Sequence, residues 1–411
     1  MTLAHSYLRR IKNFAHLLLA CAALVYYGNP AKKLRIIGVT GTDGKTTTSN
    51  YIYQLLELSG RKSALISTIG VFIDRKKDSL GLHVTTPSAF TLNKYLKKAS
   101  DSNVEFVVVE VSSHAIDQNR IFGIDFEAGT ITNVTKEHLD YHKNIENYLN
   151  TKIKLLKMSK NVVLNGGDPF IKKIKSKLAD RKILTYSLMG KDSDLNYNNI
   201  KNSQTEELTD YNKKNLLASL LILRALGFDL DKLTGYIRKL NLPAGRFEYI
   251  QSTPYKVIID FAHTPNAFSC LLPEIRKTTR GKIIHVFGSA GKRDKAKRPD
   301  MGEISSKYSD VIILTAEDPR GENLHKINSD IRKKIDPKFS LVSSTDVEKN
   351  KDLSKTIIQI DDRRLAIKFA LSVAKTGDCV VITGKGPEKS MNMGGKEIPW
   401  NDIEITKKLL H

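Results

Sequence analysis

The chain has 411 residues, enough for two or three domains that each bury a core. A hydrophobic fraction of 40% is ordinary for a globular protein, and a formal charge of +22 favours anionic ligands such as nucleotides and phosphorylated substrates. The basic residues are scattered and lack interleaved aromatics, which speaks against a nucleic-acid partner; Cys21, Cys270 and Cys379 are too far apart for a disulfide framework or a zinc site.

The first predicted element is N-terminal. Arg9, Arg10 and Lys12 precede an apolar run from Phe14 to Tyr27. The run is shorter than the ~18–20 residues that cross a bilayer, and no clear cleavage site follows it. Residues 1–33 are expected to form a helical extension docked on the protein or a partner. Contact of residues 14–27 with a membrane surface is the alternative. The cysteine usage fits a cytoplasmic protein, and a monomer is expected.

Strands are predicted at Leu34 to Val39, Glu105 to Val109, Thr130 to Asn133, Lys256 to Asp260, Lys282 to Phe287, Val311 to Leu314 and Cys379 to Thr383. Several are continuous apolar runs, as in parallel strands covered on both faces. Helical patterns alternate with them, so the class is α/β with a parallel sheet. The Asn- and Ser-rich stretch from Ser187 to Asn212 reads as exposed loop. Pro243 and Gly245 interrupt the pattern near Asn241 to Arg246. A domain junction is placed there, giving domains 34–242 and 243–411.

The sharpest local signal is "GVTGTDGKTTTS", Gly38 to Ser49, which follows a strand and should open a helix. Glycines let the backbone turn tightly and aim N–H groups at phosphate oxygens. Lys45 would reach the β- and γ-phosphates, and the Thr46 hydroxyl would ligate Mg²⁺. The strict phosphate-loop pattern has Gly where this chain has Val39; Gly41 is the substitute. Glu110 ends a strand in "EVSSHAIDQNR", where a carboxylate can bind a metal or order a water. His138 follows another strand in "TNVTKEHLDYH". Alone, Glu110 reads as a cap or surface acid, His138 as structural, and Lys152 as a helix-surface lysine.

Together these motifs resemble the Mur ligase family, and within it the branch that adds the third residue to UDP-N-acetylmuramoyl-dipeptide. The resemblance also rests on "HVTTP" (His83 to Pro87), "ENYLNTK" ending at Lys152, "NKKN" (Asn212 to Asn215), "GRFE" (Gly245 to Glu248), "DFAHTP" (Asp260 to Pro265), "GSAGKRDKAKRP" (Gly288 to Pro299), "EDPRGEN" (Glu317 to Asn323) and "GKGPE" (Gly384 to Glu388). It implies a central ATPase domain built on a phosphate-loop parallel sheet and a Rossmann-like C-terminal domain. Two Mg²⁺ ions are expected, with Thr46, Glu110, His138 and a carbamylated Lys152 as ligands. Lys45, Glu110, His138 and Lys152 would be the catalytic set. ATP would contact Gly41, Thr42, Asp43, Gly44, Lys45, Thr46, Thr47, Asn212, Asn215, Arg246, Asp260 and His263. Thr85, Thr86, Ser113, Gln118 and Arg120 would grip the muramoyl peptide. Arg293, Asp318, Pro319, Arg320, Gly384 and Glu388 would bind the incoming amino acid.

The implied activity is ATP-dependent amide formation through an acyl phosphate, in peptidoglycan synthesis. Arg320, in an Asp-Asn-Pro-Arg-like motif, favours diaminopimelate over lysine, since guanidinium pairs with a distal carboxylate. Asp318 in place of Asn, and Pro387 where the family commonly has His, depart from the pattern. The family's usual N-terminal uridine-binding domain has no counterpart in the 33 residues before the first strand. The residues between Tyr186 and Asn212 also look trimmed. The alternatives are a folylpolyglutamate, cyanophycin or lipid-II-modifying ligase, and last a non-catalytic nucleotide-binding partner.

Overall fold

The computed structural model describes residues 3–78, 85–190, 192–201, 203–343 and 353–410. His83 and Val84 of the "HVTTP" motif lie outside them. The chain forms two compact units: residues 1–136 with 142–243, and residues 137–141 with 244–411.

The first unit opens with helix α1, Leu3–Tyr27. Among its described side chains, Ala20 and Ala23 are the fully buried ones, and they pack in one cluster with Ala89. Small residues there let α1 lie close to the helix that begins at Ala89. Asp117 ties the other end of α1 down, pairing with Arg9 at 2.8 Å and accepting from Asn13 at 3.0 Å.

A nine-stranded sheet follows: β1 (Arg35–Thr40), β2 (Ser63–Ser67), β3 (Gly70–Ile73), β4 (Lys76–Asp78), β5 (Phe106–Glu110), β6 (Phe126–Ile131), β7 (Ser159–Asn165), β8 (Ile183–Ser187) and β9 (Leu195–Asn196). Their spatial order is 4-3-2-5-1-6-7-8-9. β3 and β4 run antiparallel on one edge; β5, β1 and β6 are parallel neighbours. The central strands are buried along almost their whole length, as their Val/Ile content anticipates. Helices α2 (Lys45–Leu58), α3 (Ala89–Asp101), α4 (Ser113–Asp117), α5 (Ile145–Lys157) and α6 (Asp210–Ala225) complete the layers. Because β1 sits between β5 and β6, three parallel strands end side by side. Ligands of open α/β sheets bind at such carboxyl edges.

Two expectations need correction. The third strand runs Phe126–Ile131, not Thr130 to Asn133. Thr132 and Asn133 follow it, still bonded through their backbones to Thr40 and Thr42, while both side chains donate to the Asp43 carbonyl. The stretch from Ser187 to Asn212 is not simply exposed loop. It carries β9, a 3-10 turn capped reciprocally by Asn196 and Asn199, and the start of α6. Leu195 and Ile200 are buried at 0% and 3% exposure and anchor it. Isolated apolar residues in a polar run gave no periodic signal.

The second unit holds a seven-stranded sheet: β10 (Glu248–Gln251), β11 (Lys256–Asp260), β12 (Ile283–Phe287), β13 (Val311–Leu314), β14 (Ser340–Val342), β15 (Thr356–Gln359) and β16 (Cys379–Thr383), in the order 10-11-16-12-13-15-14. Only β10 is antiparallel. A separate hairpin joins β17 (Ser390–Met393) to β18 (Lys396–Pro399).

Charge is buried beneath this sheet's carboxyl edge. Arg363 is 1% exposed. It donates to Asp402 at 2.9 and 2.7 Å and to the Thr383 carbonyl at 2.8 Å. Glu317, three residues past β13, is buried beside it. Burial pushes the Glu317 carboxyl up to about 8, against the opposing pull of Lys297, Arg363 and Lys385. It is therefore largely protonated at neutral pH.

Two outcomes follow from these buried charges. Arg363→Met strands Asp402 in a low-dielectric site and should cost ~3–5 kcal/mol of stability. The double change Arg363→Met with Asp402→Leu should recover part of it. Urea unfolding followed by the fluorescence of Trp400, the chain's one tryptophan, measures both; a single-variant change within ~0.5 kcal/mol would discard the idea. Glu317 holds its proton more tightly folded than unfolded, where its value is 4.5. Its contribution is complete at low pH and is lost as pH rises through about 8. Thermal unfolding from mildly acidic to alkaline pH should show that decline in the parent chain and a flatter profile in Glu317→Gln. Parallel profiles would refute the assignment.

Candidate active site

The end of β1 and the start of α2 form the phosphate loop. Gly41 and Gly44 have φ of +152° and +80°, conformations that L side chains rarely adopt. Neither has room for a Cβ: it would stand 1.8 Å from Thr132 Oγ1 at Gly41, and 2.4 Å from Asn215 Oδ1 at Gly44. The loop is thus clamped from both sides. Thr132 Oγ1 donates to the Asp43 carbonyl at 2.6 Å, and the Asp43 N–H donates to Asn133 Oδ1 at 2.9 Å. Thr48 Oγ1 lies 3.3 Å from Asn215 Oδ1. Asn212 and Asn215, both buried, sit behind the loop on α6. The helix N-terminus adds its dipole to the loop's N–H groups, a combination suited to phosphate. Lys45 Nζ donates to the Gly41 and Thr42 carbonyls at 3.2 and 2.7 Å.

Glu110, the last residue of β5, is 1% exposed and lies in register with Val39 of β1. Its carboxylate would be costly to bury without donors. Thr46 Oγ1 donates to Oε1 at 3.0 Å, and the Thr68 N–H donates to Oε2 at 2.9 Å. The Thr68 hydroxyl lies 3.1 Å from the same oxygen and 3.0 Å from Thr85 Oγ1. The result is a cluster of hard oxygens beside the loop, the donor type that Mg²⁺ selects.

The neighbouring edge carries a cation. Thr86 Oγ1 donates to the Glu110 carbonyl at 2.8 Å and accepts from the Ser112 N–H at 2.9 Å. Arg120 Nη1 donates to the Thr86 carbonyl at 2.7 Å, and its Nε and Nη2 donate to Gln118 Oε1 at 3.1 and 2.6 Å. Ser113 lies 3.0 Å from His142 Nε2. Burial, with His114 alongside, lowers His142 to about 3, so this imidazole is neutral. Lys152, on α5 and 1% exposed, donates to the Gly41 carbonyl at 2.6 Å. Its Nζ stands 4.2 Å from the Tyr148 ring centre.

In the second unit, Asp260 ends β11 and caps the turn after it, accepting from the Phe247 and Ala262 N–H groups at 2.7 Å each. The Arg246 guanidinium lies 4.5 Å from the Phe261 ring centre, and His263 Nδ1 is 2.9 Å from the Phe261 carbonyl. His138 belongs to the segment that groups with this unit and has φ of +54°.

The loop after β13 is strained: Asp318 and Arg320 have φ of +46° and +52° on either side of Pro319. Asp318 accepts from Lys385 at 2.8 Å, from the Asn392 N–H at 2.9 Å and from Arg320 at 3.0 Å. Burial pushes the Asp318 carboxyl up, but these donors outweigh it and hold it below the usual carboxylate range. Lys385 also pairs with Glu388 at 2.5 Å. Arg293 is exposed and within electrostatic reach of Arg320 and Asp318. Gly384 lies against Glu317, whose Oε2 would meet a Cβ there at 2.3 Å.

Within the first unit, the anticipated Lys45, Thr46, Thr85, Thr86, Glu110, Gln118, Arg120 and Lys152 gather at the ends of β1, β2 and β5 and on α5. Sequence reasoning passed over Thr68, Thr132, Asn133, His142 and Lys385. Thr132, Asn133, His142 and Lys385 stood in quoted motifs without a role; Thr68 lies outside them, a lone hydroxyl with no spacing signal.

Comparison with known proteins agrees with this architecture. Residues 39–223 match the Mur ligase middle domain, and residues 245–386 match the Mur ligase glutamate ligase domain. The UDP-N-acetylmuramoyl-L-alanyl-D-glutamate–2,6-diaminopimelate ligase of Aquifex aeolicus is 38% identical, over 94% of this chain and 79% of that protein. The UDP-N-acetylmuramyl-tripeptide synthetase of Borrelia garinii is 35% identical, over 94% and 78%. A solved diaminopimelate ligase of the same name as the Aquifex protein superposes with a TM-score of 0.57 at 31% identity, covering 92% of this chain and 78% of that one. Folylpolyglutamate synthase of Mycobacterium tuberculosis, at 16% identity and a TM-score of 0.69 over 90% and 96%, shares the fold. With both domain models matched in order and relatives above 30% identity along nearly its whole length, the chain belongs to the Mur ligase family.

Proposed function

We propose that this protein is an ATP-dependent ligase that adds meso-diaminopimelate to the D-glutamyl carboxylate of UDP-N-acetylmuramoyl-dipeptide. The observation that carries the reading is the oxygen cluster of Thr46, Glu110 and Thr68 at the phosphate loop. In this reading a substrate carboxylate oxygen attacks the γ-phosphorus and ADP leaves. The amine then attacks the acyl-phosphate carbonyl carbon, inorganic phosphate departs, and the nitrogen loses a proton. Lys45 exchanges its loop carbonyls for phosphate oxygens and stabilises the charge of the transferred group. Arg120, pre-oriented by Gln118 and Thr86, holds a carboxylate of the muramoyl peptide. Arg246, Asp260 and His263 serve the adenosine end, while Asn212 and Asn215 position the loop from behind.

Thr46, Glu110, His138 and a carbamylated Lys152 would hold Mg²⁺, and hard oxygens at the first two fit that ion. The metal supplies positive charge that offsets the phosphate oxygens. Carbamylation needs the Lys152 ammonium to give up one proton first; the neutral amine then joins the carbon of CO₂ and loses a second, so two protons leave and a cation beside Gly41 becomes an anion. That change of sign is what a ligand to a second divalent ion needs.

Diaminopimelate is favoured because Arg320 and Arg293 offer two guanidinium groups to carboxylates. Lysine is the second reading, and Asp318 supports it, since its carboxylate already pairs with Arg320 at 3.0 Å. The same surroundings would suit a free ammonium.

Phosphate release with ATP, UDP-N-acetylmuramoyl-dipeptide and each amino acid decides between them. Turnover should be faster with diaminopimelate. Asp318→Asn should widen that preference about tenfold, the equivalent of ~1.4 kcal/mol. Turnover with neither amino acid ends the substrate assignment; faster turnover with lysine moves it to the second reading. Lys152→Ala should reduce turnover ~10²–10³-fold, with partial rescue by formate or acetate. Undiminished turnover in that variant would rule out the carbamate.

A further inference from the structure

Helix α1 presents to solvent a face that soluble helices normally bury. Ile11, Phe14, Leu18, Leu19, Val25 and Tyr26 are each at least half exposed, with Val25 at 84% and Tyr26 at 75%. Their positions follow the helical repeat, so they form one stripe opposite the buried Ala20 and Ala23. A contiguous exposed apolar patch of this kind marks an interaction surface.

Charge indicates what covers it. From Met1 to Leu34 the sequence contains no Asp or Glu. Arg9 is engaged by Asp117, while Lys12 near one end of the stripe and Lys32 and Lys33 beyond the other are exposed. Two copies meeting through this face would bring like charges together. Anionic lipid headgroups would be attracted by them. The stripe from Ile11 to Tyr26 is about 22 Å long at 1.5 Å per residue, short of the ~30 Å hydrocarbon core. Among the described residues no helix is long and apolar enough to cross a membrane. A helix apolar on its outer face and basic at its ends lies in the interface plane. Aromatic rings extend the surface: Phe90, on α3 and partly exposed, has its ring centre 6.3 Å from that of Tyr26.

We propose that α1 is an in-plane anchor that seats the first unit on an anionic bilayer leaflet. This goes beyond the ligase reading and does not depend on it. Flotation of the full chain with phosphatidylcholine vesicles, with and without phosphatidylglycerol, tests it. The chain should float with the anionic vesicles at low salt, at least tenfold more than with neutral ones. Leu18→Glu with Val25→Glu should abolish flotation while leaving the melting temperature and phosphate release intact. Phe14→Trp should gain a blue-shifted emission on adding anionic vesicles. Flotation unchanged by the double variant, equal flotation on neutral lipid, or no shift from Phe14→Trp would each overturn the proposal. So would a concentration-dependent dimer that the double variant dissolves while no vesicle binds.

Discussion

The loop cluster of the first unit is organised around one buried carboxylate. Glu110 sits where β5 ends, almost wholly out of water, and an ionised acid there is tolerable only with several donors around it. Thr46 and Thr68 supply them, and in doing so fix the first turn of α2 and the end of β2 against β5. The same demand links Thr85, through the Thr68 hydroxyl, to the phosphate loop. Glu110, the glycine-rich loop and the Thr85–Thr86 pair are thereby held as one hydrogen-bonded cluster. The strand order makes this possible, because β5, β1 and β6 end together.

The second unit solves a different problem with the same means. Glu317, Asp318, Arg363, Lys385 and Asp402 are all nearly buried, and their charges are balanced locally. Glu317 stays protonated, whereas Asp318, one residue on, is ionised because Lys385 and Arg320 face it. Two adjacent acids with opposite protonation preferences give the strained loop after β13 a single negative charge in a defined place. The left-handed backbone at Asp318 and Arg320 is held by bonds to the β17–β18 hairpin: the Asn392 N–H donates to Asp318 Oδ1 at 2.9 Å, and the Arg320 N–H donates to the Asn392 carbonyl at 3.1 Å.

Much of this was legible in the sequence, for reasons that differ by residue. Lys256–Asp260, Val311–Leu314 and Cys379–Thr383 form strands at the bounds their apolar runs suggest. Edge strands such as β4 and β9 were not readable, since Lys76, Lys77 and Asn196 carry no apolar alternation. Glycine, Lys and Thr in the phosphate loop announce themselves because anion binding needs those residue types at that spacing. Thr132 and Asn133 read as a strand end, and only the fold reveals that they brace the loop. Lys152 looked like a surface lysine on residue type alone; its burial against Gly41 is a tertiary fact that no local pattern encodes. The polarity of Ser187 to Asn212 concealed two buried anchors for the opposite reason: one apolar residue at a time defines no face.

The resting position of Lys45 has a consequence for selectivity. Its ammonium is already solvated by two backbone oxygens of its own loop, so an incoming ligand must replace both before the cation is available. Several anionic oxygens arriving together can replace both carbonyls at once, which a single monovalent ion cannot do, so the geometry around Lys45 sets a requirement on ligand valence that is independent of any base or sugar.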